Sequence, residues 1–160
     1  MSLFTKLSKK DAIDGVLAPV SGTLLSIEKV PDRVFSTKMM GDGFAVQPDS
    51  NKIVAPVSGT IVSLPESLHA FGIETPDNKQ ILVHIGLETV RLKGKGFHAL
   101  KKEGAKVHAG EVVLIYDTSV MEEEQMNMIT MVVFIEGFDK QVKLEHEGMR
   151  VETGELILPI

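Results

Sequence analysis

Residues Ala18–Thr23 read APVSGT, and residues Ala55–Thr60 read APVSGT again. The copies lie 37 positions apart, and six identical residues do not recur by chance in a chain of 160. Each copy couples Pro and Gly to a following apolar run, TLLSIEKV after the first and TIVSL after the second. Short β-branched runs bounded by Pro, Gly, Ser, Asp and Asn read as strands. The repetition extends further. FAVQPDSN at Phe44–Asn51 follows the first copy and FGIETPDN at Phe71–Asn78 follows the second. EGAKVHAGEVVLI at Glu103–Ile115 is matched by EGMRVETGELILP at Glu147–Pro159, 44 positions on. Both read E-G-x-[KR]-V-x-x-G-E, with glycines where tight turns call for positive φ. Two copies of each unit are too few for a solenoid. The expected fold is all-β: an antiparallel sandwich or flattened barrel of duplicated motifs around one core, with at most short helices. The one stretch with helical character is Ser119–Met128, SVMEEEQMNM, which carries a capping Ser and acids in its first turn.

Length and composition narrow the function classes. Residues 15–160 are expected to form a single domain. Residues 1–14, MSLFTKLSKKDAID, form a separate head, flexible or amphipathic, whose Leu3, Phe4 and Leu7 fit a weak peripheral membrane contact. There is no cysteine, which excludes disulfides, thiolate metal sites and a Cys nucleophile. No apolar run approaches the roughly 20 residues that span a bilayer, and the N-terminus lacks the apolar core of a secretion signal. The expectation is a cytoplasmic protein. The net charge of −5, with no basic block, one Tyr and no Trp, argues against nucleic acid as a partner.

Among the five histidines, His98, His108 and His146 stand in charged, turn-like surroundings and read as surface residues. His84 lies in QILVHIG. Alternation puts Ile81, Val83 and Ile85 on one face, the core side, and Leu82 and His84 on the other. His69 lies in ESLHAFG, where an extended chain would put Ser67, His69 and Phe71 on one face. The Asp77–Asn78 turn between the two histidines suits a hairpin that brings both imidazoles to one point. Residue types and spacing leave several readings open. One is a pair of ordinary surface histidines. Two neutral imidazoles also suit a metal, though no third ligand is apparent nearby. A Ser-His-Asp hydrolase fits in composition, but no nucleophile-elbow pattern is present. Finally, a neutral imidazole nitrogen can itself attack phosphorus, with His69 and Ser67 donating hydrogen bonds to the phosphoryl oxygens.

Taken in order, APVSGT, VPDRVFSTKMMGDGFAVQP, APVSGTIVSL, SLHAFGIET, LVHIGLETVRLKGKGF and EGAKVHAGE resemble the glucose-type IIA components of the bacterial phosphoenolpyruvate-dependent sugar phosphotransferase system. The resemblance covers Gly15–Ile160, and its specific part is the pair H-A-[FV]-G and [VI]-H-[FI]-G-[LID]-[ED]-T-V. It implies a flattened β-sandwich with its active site in a shallow depression, and a phosphohistidine relay rather than a stand-alone enzyme acting on sugar. By this resemblance His84 accepts the phosphoryl group from HPr on Nε2 and passes it to a cysteine of a IIB domain. His69 hydrogen-bonds the phosphoryl group, Ser67 supports His69, and the backbone carbonyl of Gly86 fixes the His84 ring. No cofactor is required, and zinc would bind at His69 and His84 only when a partner supplies a carboxylate.

The tract VPDRVFSTKMMGDGF suits an apolar collar beside the histidines, made of Phe35, Met39 and Met40 with Phe71 and Leu82. Val34 belongs to the same partner-facing set. The resemblance places Asp32 and Glu88 opposite basic residues of HPr, where acids speed encounter. Arg33 stands where many relatives carry an apolar residue, and Phe138 at or near a position where enterobacterial relatives have an acid beside the site. The expected partners are HPr and a IIB domain, with regulated permeases or kinases as further ones, and the expected state is a monomer. Two alternatives remain: a biotinyl or lipoyl carrier using Lys38 in TKMM, and a regulator that binds partners according to its phosphorylation state. Carrier domains are shorter and hold their lysine between one pair of motifs, whereas this chain has two pairs and two histidines in specific motifs. The sugar itself is not encoded, because sugar specificity belongs to the membrane IIC and IIB parts.

Overall fold

Gly22 and Gly59, the glycines of the two APVSGT copies, show what the repeated phrase does. A Cβ on Gly22 would stand 2.1 Å from the carbonyl oxygen of Gln47, and one on Gly59 would stand 2.2 Å from that of Glu74. Each copy therefore opens a strand that lies too close to its hairpin partner for any side chain. These are equivalent positions of one duplicated unit.

The computed structural model describes residues 15–138 and 141–159. Residues 1–14, including the expected amphipathic head, lie outside the described residues. In chain order the strands are β1 (Gly15–Leu17), β2 (Gly22–Ser26), β3 (Asp42–Pro48), β4 (Lys52–Val54), β5 (Gly59–Ser63), β6 (Ala70–Glu74), β7 (Gln80–Ile85), β8 (Phe97–Ala99), β9 (Lys106–Val107), β10 (Val112–Tyr116), β11 (Thr130–Glu136), β12 (Arg150–Val151) and β13 (Leu156–Pro159). Two short α-helices, α1 (Arg33–Ser36) and α2 (Thr118–Glu123), and two 3-10 turns, Ile27–Lys29 and Thr89–Leu92, complete the described elements.

An eight-stranded antiparallel sheet runs β12-β2-β3-β11-β7-β6-β5-β9. It packs on a three-stranded sheet, β4-β10-β8, and on the β1-β13 pair. The large sheet ends on β12 and β9 without joining them, so the fold is a sandwich and not a closed barrel. Phe44, Val46, Phe71, Ile73, Ile81, Val83, Ile85 and Val132 of the large sheet meet Ile53, Phe97, Leu114 and Tyr116 of the small one in a single core. Val151 and Leu158 join the same core, which ties residues 141–159 to the rest. Full burial of each large apolar side chain contributes about 1.5–3 kcal/mol.

The duplication is a pseudo-dyad. Leu17 N–H donates to Pro56 O, and Val54 N–H donates to Pro19 O, both at 2.8 Å. Gly104 N–H donates to Ile61 O, and Gly148 N–H to Leu24 O, both at 2.7 Å. Ser58 Oγ accepts from Ala109 N at 2.9 Å, and Ser21 Oγ accepts from Thr153 N at 2.8 Å. So each APVSGT serine clamps one E-G-x-[KR]-V-x-x-G-E loop. The dyad passes between Val83 and Val132, which face each other across β7 and β11 and pair outward with Phe71 and Phe44.

One insertion breaks the symmetry. The β2–β3 connection, residues 27–41, folds over the outer face of the large sheet. There Ile27, Val30 and Phe35 pack on Ala45, Ile129, Met131 and Val133 as a second core. Within it α1 is capped by Asp32, whose carboxylate accepts from Val34 N at 2.9 Å. The corresponding β5–β6 connection is much shorter and carries Ser67 and His69. Position 84 has Val133 as its pseudo-symmetric mate, and Val133 is buried under the longer insertion.

The helix expected at Ser119–Met128 is shorter and begins earlier. Asp117, not Ser119, caps α2, accepting from Ser119 N at 3.0 Å. The helix ends at Glu123, because Gln125 turns to φ +57° and three glutamates at the C-terminal end oppose the helix dipole. Met128 is already part of the core.

Candidate active site

Strand β7 positions His84 as its alternation requires. Ile81, Val83 and Ile85 are at most 1% exposed, while Leu82 and His84 lie half-buried on the outer face. His84 sits in register with Ala70 across the β6–β7 hairpin, and Ile85 N–H donates to His69 O at 2.7 Å. His69 is thus held one residue before the start of β6, beside His84. The two imidazole centroids are 5.2 Å apart with the planes at 78°.

Each ring is fixed through Nδ1. His84 Nδ1 is 2.9 Å from Gly86 O; a carbonyl only accepts, so Nδ1 carries the proton and Nε2 the lone pair. His69 Nδ1 is 2.6 Å from Ser67 Oγ. When that hydroxyl donates, His69 carries its proton on Nε2 and becomes a donor there. Among the described residues no fully buried side-chain nitrogen lacks a partner, so both Nε2 atoms, which have none, reach the surface. Burial pushes His84 down to about 4, aided by the neighbouring His69 and partly opposed by the Gly86 carbonyl and the Asp32 carboxylate. Burial lowers His69 as well. Both rings are therefore neutral at pH 7.

The residues expected to form the collar differ in exposure. Val34, Met39 and Met40 are 41%, 74% and 37% exposed. Glu88 is exposed in the turn after Gly86, and Asp32 is half-buried at the start of α1. Leu82 packs against the second core. Phe35 is 5% exposed, so it is a core residue under the insertion, although the edge of its ring meets His84 at 5.0 Å between centroids. It backs the histidine ring from within the second core.

Phe71 is a correction. It is fully buried in the main core opposite Val83 and forms no part of the collar. The expected shared face of Ser67, His69 and Phe71 fails because Leu68 turns to φ +56°, which interrupts the alternation before β6 begins. Phe138 is a second correction. It stacks on Phe134 at 4.2 Å, beyond the end of β11 that pairs with Gln80, remote from His84. Lys38 is tied to Glu28 at 3.2 Å and Asp42 at 3.6 Å, which leaves no free lysine tip of the kind a biotinyl or lipoyl carrier presents. Among the described residues no three His, Asp or Glu side chains come together to hold a metal. Thr89 and Asn127, which brace the turn after His84, carried no separate signal beyond the T of the HIGLET phrase.

Sequence and structure comparisons point one way. The profile of the family described as phosphoenolpyruvate-dependent sugar phosphotransferase system, EIIA 1, matches residues 14–140. The chain is 44% identical over 160 residues to the glucose-specific EIIA component of the phosphotransferase system of Buchnera aphidicola subsp. Acyrthosiphon pisum, covering 99% of this chain and 97% of that one. It is 45% identical over 140 residues to the glucose-specific EIICBA component of Streptococcus pneumoniae, covering 87% of this chain and 19% of that longer protein. The solved structure of glucose permease IIA from Mycoplasma capricolum superposes with a TM-score of 0.81 at 38% identity, covering 90% of this chain and 93% of that one. The chain belongs to the EIIA 1 family of the phosphoenolpyruvate-dependent sugar phosphotransferase system.

Proposed function

We propose that His84 is the residue on which this phosphocarrier holds its phosphoryl group. Members of the family accept a phosphoryl group from HPr and pass it to a IIB domain, and this chain does the same as a transferase relay. The observation that carries the assignment is the hydrogen bond from His84 Nδ1 to Gly86 O, which leaves a neutral, exposed Nε2 lone pair. In the uptake step the P–N bond to the HPr histidine breaks as a P–N bond to His84 Nε2 forms. The proton stays on Nδ1, which donates it in a hydrogen bond to the Gly86 carbonyl, and that bond stabilises the charge that the ring acquires. His69, backed by Ser67, donates from Nε2 to the phosphoryl oxygens. In the second step a IIB cysteine attacks phosphorus, and His84 leaves as the neutral imidazole it was before.

Val34, Met39 and Met40, with Asp32 and Glu88, form the docking face in this reading: an apolar patch flanked by acids, suited to a basic partner. Regulated permeases or kinases are further partners for that same face in its unphosphorylated state. The reading requires no cofactor, and zinc binds only when a partner completes the pair of imidazoles. Residues 15–160 act as one unit, as a monomer in the bacterial cytoplasm. The sugar is set by the IIB and IIC parts that receive the phosphoryl group; the names of the relatives favour glucose.

The test is phosphorylation from phosphoenolpyruvate through enzyme I and HPr. The protein takes up one acid-labile label, and peptide mapping finds it on His84. His84→Ala takes up none. Label on the His84→Ala variant overturns the assignment.

A further inference from the structure

The group that fixes the His84 ring is a backbone carbonyl, so something must fix that carbonyl. Gly86 sits at φ +79°, where a side chain would be strained, and two peptide planes meet at its Cα. On the plane before it, Thr89 Oγ1 donates to Ile85 O at 2.6 Å and Gly86 N–H donates to Ile129 O at 3.0 Å. On the plane after it, Leu87 N–H donates to Asn127 O at 2.8 Å. That second plane carries the Gly86 oxygen that accepts the hydrogen bond from His84 Nδ1–H. Thr89 is fully buried. Its Cγ2 would stand 2.6 Å from a Cβ on Gly86, so the methyl fills the niche the glycine leaves. One side chain thus holds the turn twice, through its hydroxyl and through its methyl.

We propose that Thr89 is a positioning residue for phosphoryl transfer: through Ile85 and Gly86 it sets the direction of the Gly86 carbonyl and thereby keeps the His84 proton on Nδ1. The proposal rests on the reading of His84 as phosphoacceptor. Without the hydroxyl the Ile85–Gly86 plane is held at one atom instead of two. The Gly86 carbonyl then samples directions that do not meet Nδ1, and the ring proton redistributes to Nε2. A ring protonated on Nε2 has no lone pair where phosphorus arrives.

The experiment compares Thr89→Val, which keeps the methyl and loses the hydroxyl, with Thr89→Ser, which does the reverse. The first readout is the pair of ¹⁵N shifts of the His84 ring at pH 7, which report the tautomer without any phosphoryl transfer. The second is the rate of phosphoryl uptake from phospho-HPr. Thr89→Val shows a ring mostly in the Nε2–H form and takes up phosphate about tenfold more slowly, because only about a tenth of the rings keep the lone pair on Nε2. Thr89→Ser keeps the Nδ1–H form and stays close to wild type. A Thr89→Val protein with the wild-type tautomer overturns the proposal, whether its uptake is normal or slow, because slowing without a tautomer change is a merely structural effect. If Thr89→Val does not fold, Thr89→Ser and Thr89→Ala, which differ only in the hydroxyl, are compared by the same readouts, and equal behaviour overturns the proposal. Should the label fall elsewhere than on His84, the reading of the phosphoacceptor fails, while the ¹⁵N shifts still report whether Thr89 holds the ring.

Discussion

His69 and His84 stand with ring centroids 5.2 Å apart and planes at 78°, each ring anchored through Nδ1, His69 on the Ser67 hydroxyl and His84 on the Gly86 carbonyl. The pair presents one lone pair and one N–H on neighbouring rings when Ser67 donates. That is the pattern needed for a nucleophile beside a phosphoryl-oxygen donor. Two protonated imidazoles so close would repel each other, and burial already disfavours charge on both.

The first prediction concerns pH. The His84 imidazole in the folded protein titrates with a midpoint of about 4, well below the ordinary value of 6.5. Between these values the unfolded chain binds a proton at this position and the folded one does not. Stability therefore rises with pH through that window, is fully present above about 6.5, and is lost towards about 4. The loss attributable to His84 is at most about 3 kcal/mol. An NMR titration of the ring Cε1 proton measures the midpoint directly. A midpoint near 6.5 would show that the ring is solvated and that the neutral-nucleophile argument is wrong.

A second prediction separates surface from core among the residues around the site. Met39→Ser together with Met40→Ser should raise KM for phospho-HPr and leave thermal stability unchanged, because both side chains are exposed. Phe71→Ala should cost about 3–5 kcal/mol of stability, because Phe71 is fully buried opposite Val83. Thermal melts and steady-state phosphotransfer on both proteins check the pair. A stable Phe71→Ala protein with weakened HPr binding would return Phe71 to the docking face.

Much of this was legible in the chain. The repeated APVSGT and the paired E-G-x-[KR]-V-x-x-G-E phrases specify backbone hydrogen bonds, and those bonds recur as reciprocal pairs about one dyad. Period-2 alternation around His84 held because β7 is a regular strand between two neighbours. What stayed hidden depends on single residues with unusual backbone. Leu68 at φ +56° breaks the phase between His69 and Phe71, and no composition rule marks a leucine for that conformation. Phe35 reads as a surface aromatic within a Met-rich tract, yet α1 is only four residues long and turns it inward beneath His84. The tract lies over the sheet as a second core, which only the tertiary fold decides.

A third prediction tests the role assigned to the repeated glycines. Gly22→Ala and Gly59→Ala would each force a methyl within about 2 Å of a backbone carbonyl oxygen, which no rotamer relieves. Each should destabilise by about 3 kcal/mol. For a chain of this size that is a fall of about 6–12 °C in Tm. Gly104→Ala serves as the contrast, since nothing lies within 4 Å of its Cβ position and only its φ of +93° opposes the change. Calorimetry orders the three, and equal small losses throughout would remove the close-approach explanation.

The last prediction divides the work of the two histidines. Loss of His84 removes both acceptance and donation, because the phosphoryl group has nowhere to reside. Loss of His69 is different in kind. Uptake from HPr exchanges one phosphohistidine for another and is nearly balanced, so a weaker donor to the phosphoryl oxygens changes it little. Donation to a IIB cysteine loosens the P–N bond while negative charge spreads over the equatorial oxygens, and there a positioned N–H counts most. His69→Gln retains an amide that can donate but loses the ring held by Ser67 at 2.6 Å. This variant should take up phosphate from HPr at a rate close to wild type. It should then transfer to IIB about 10²-fold more slowly, the scale of one lost transition-state donor. Rapid-quench measurements with purified partners resolve the two steps separately. Equal slowing of both, or of neither, would mean that His69 does not act on the phosphoryl oxygens in the step where charge develops.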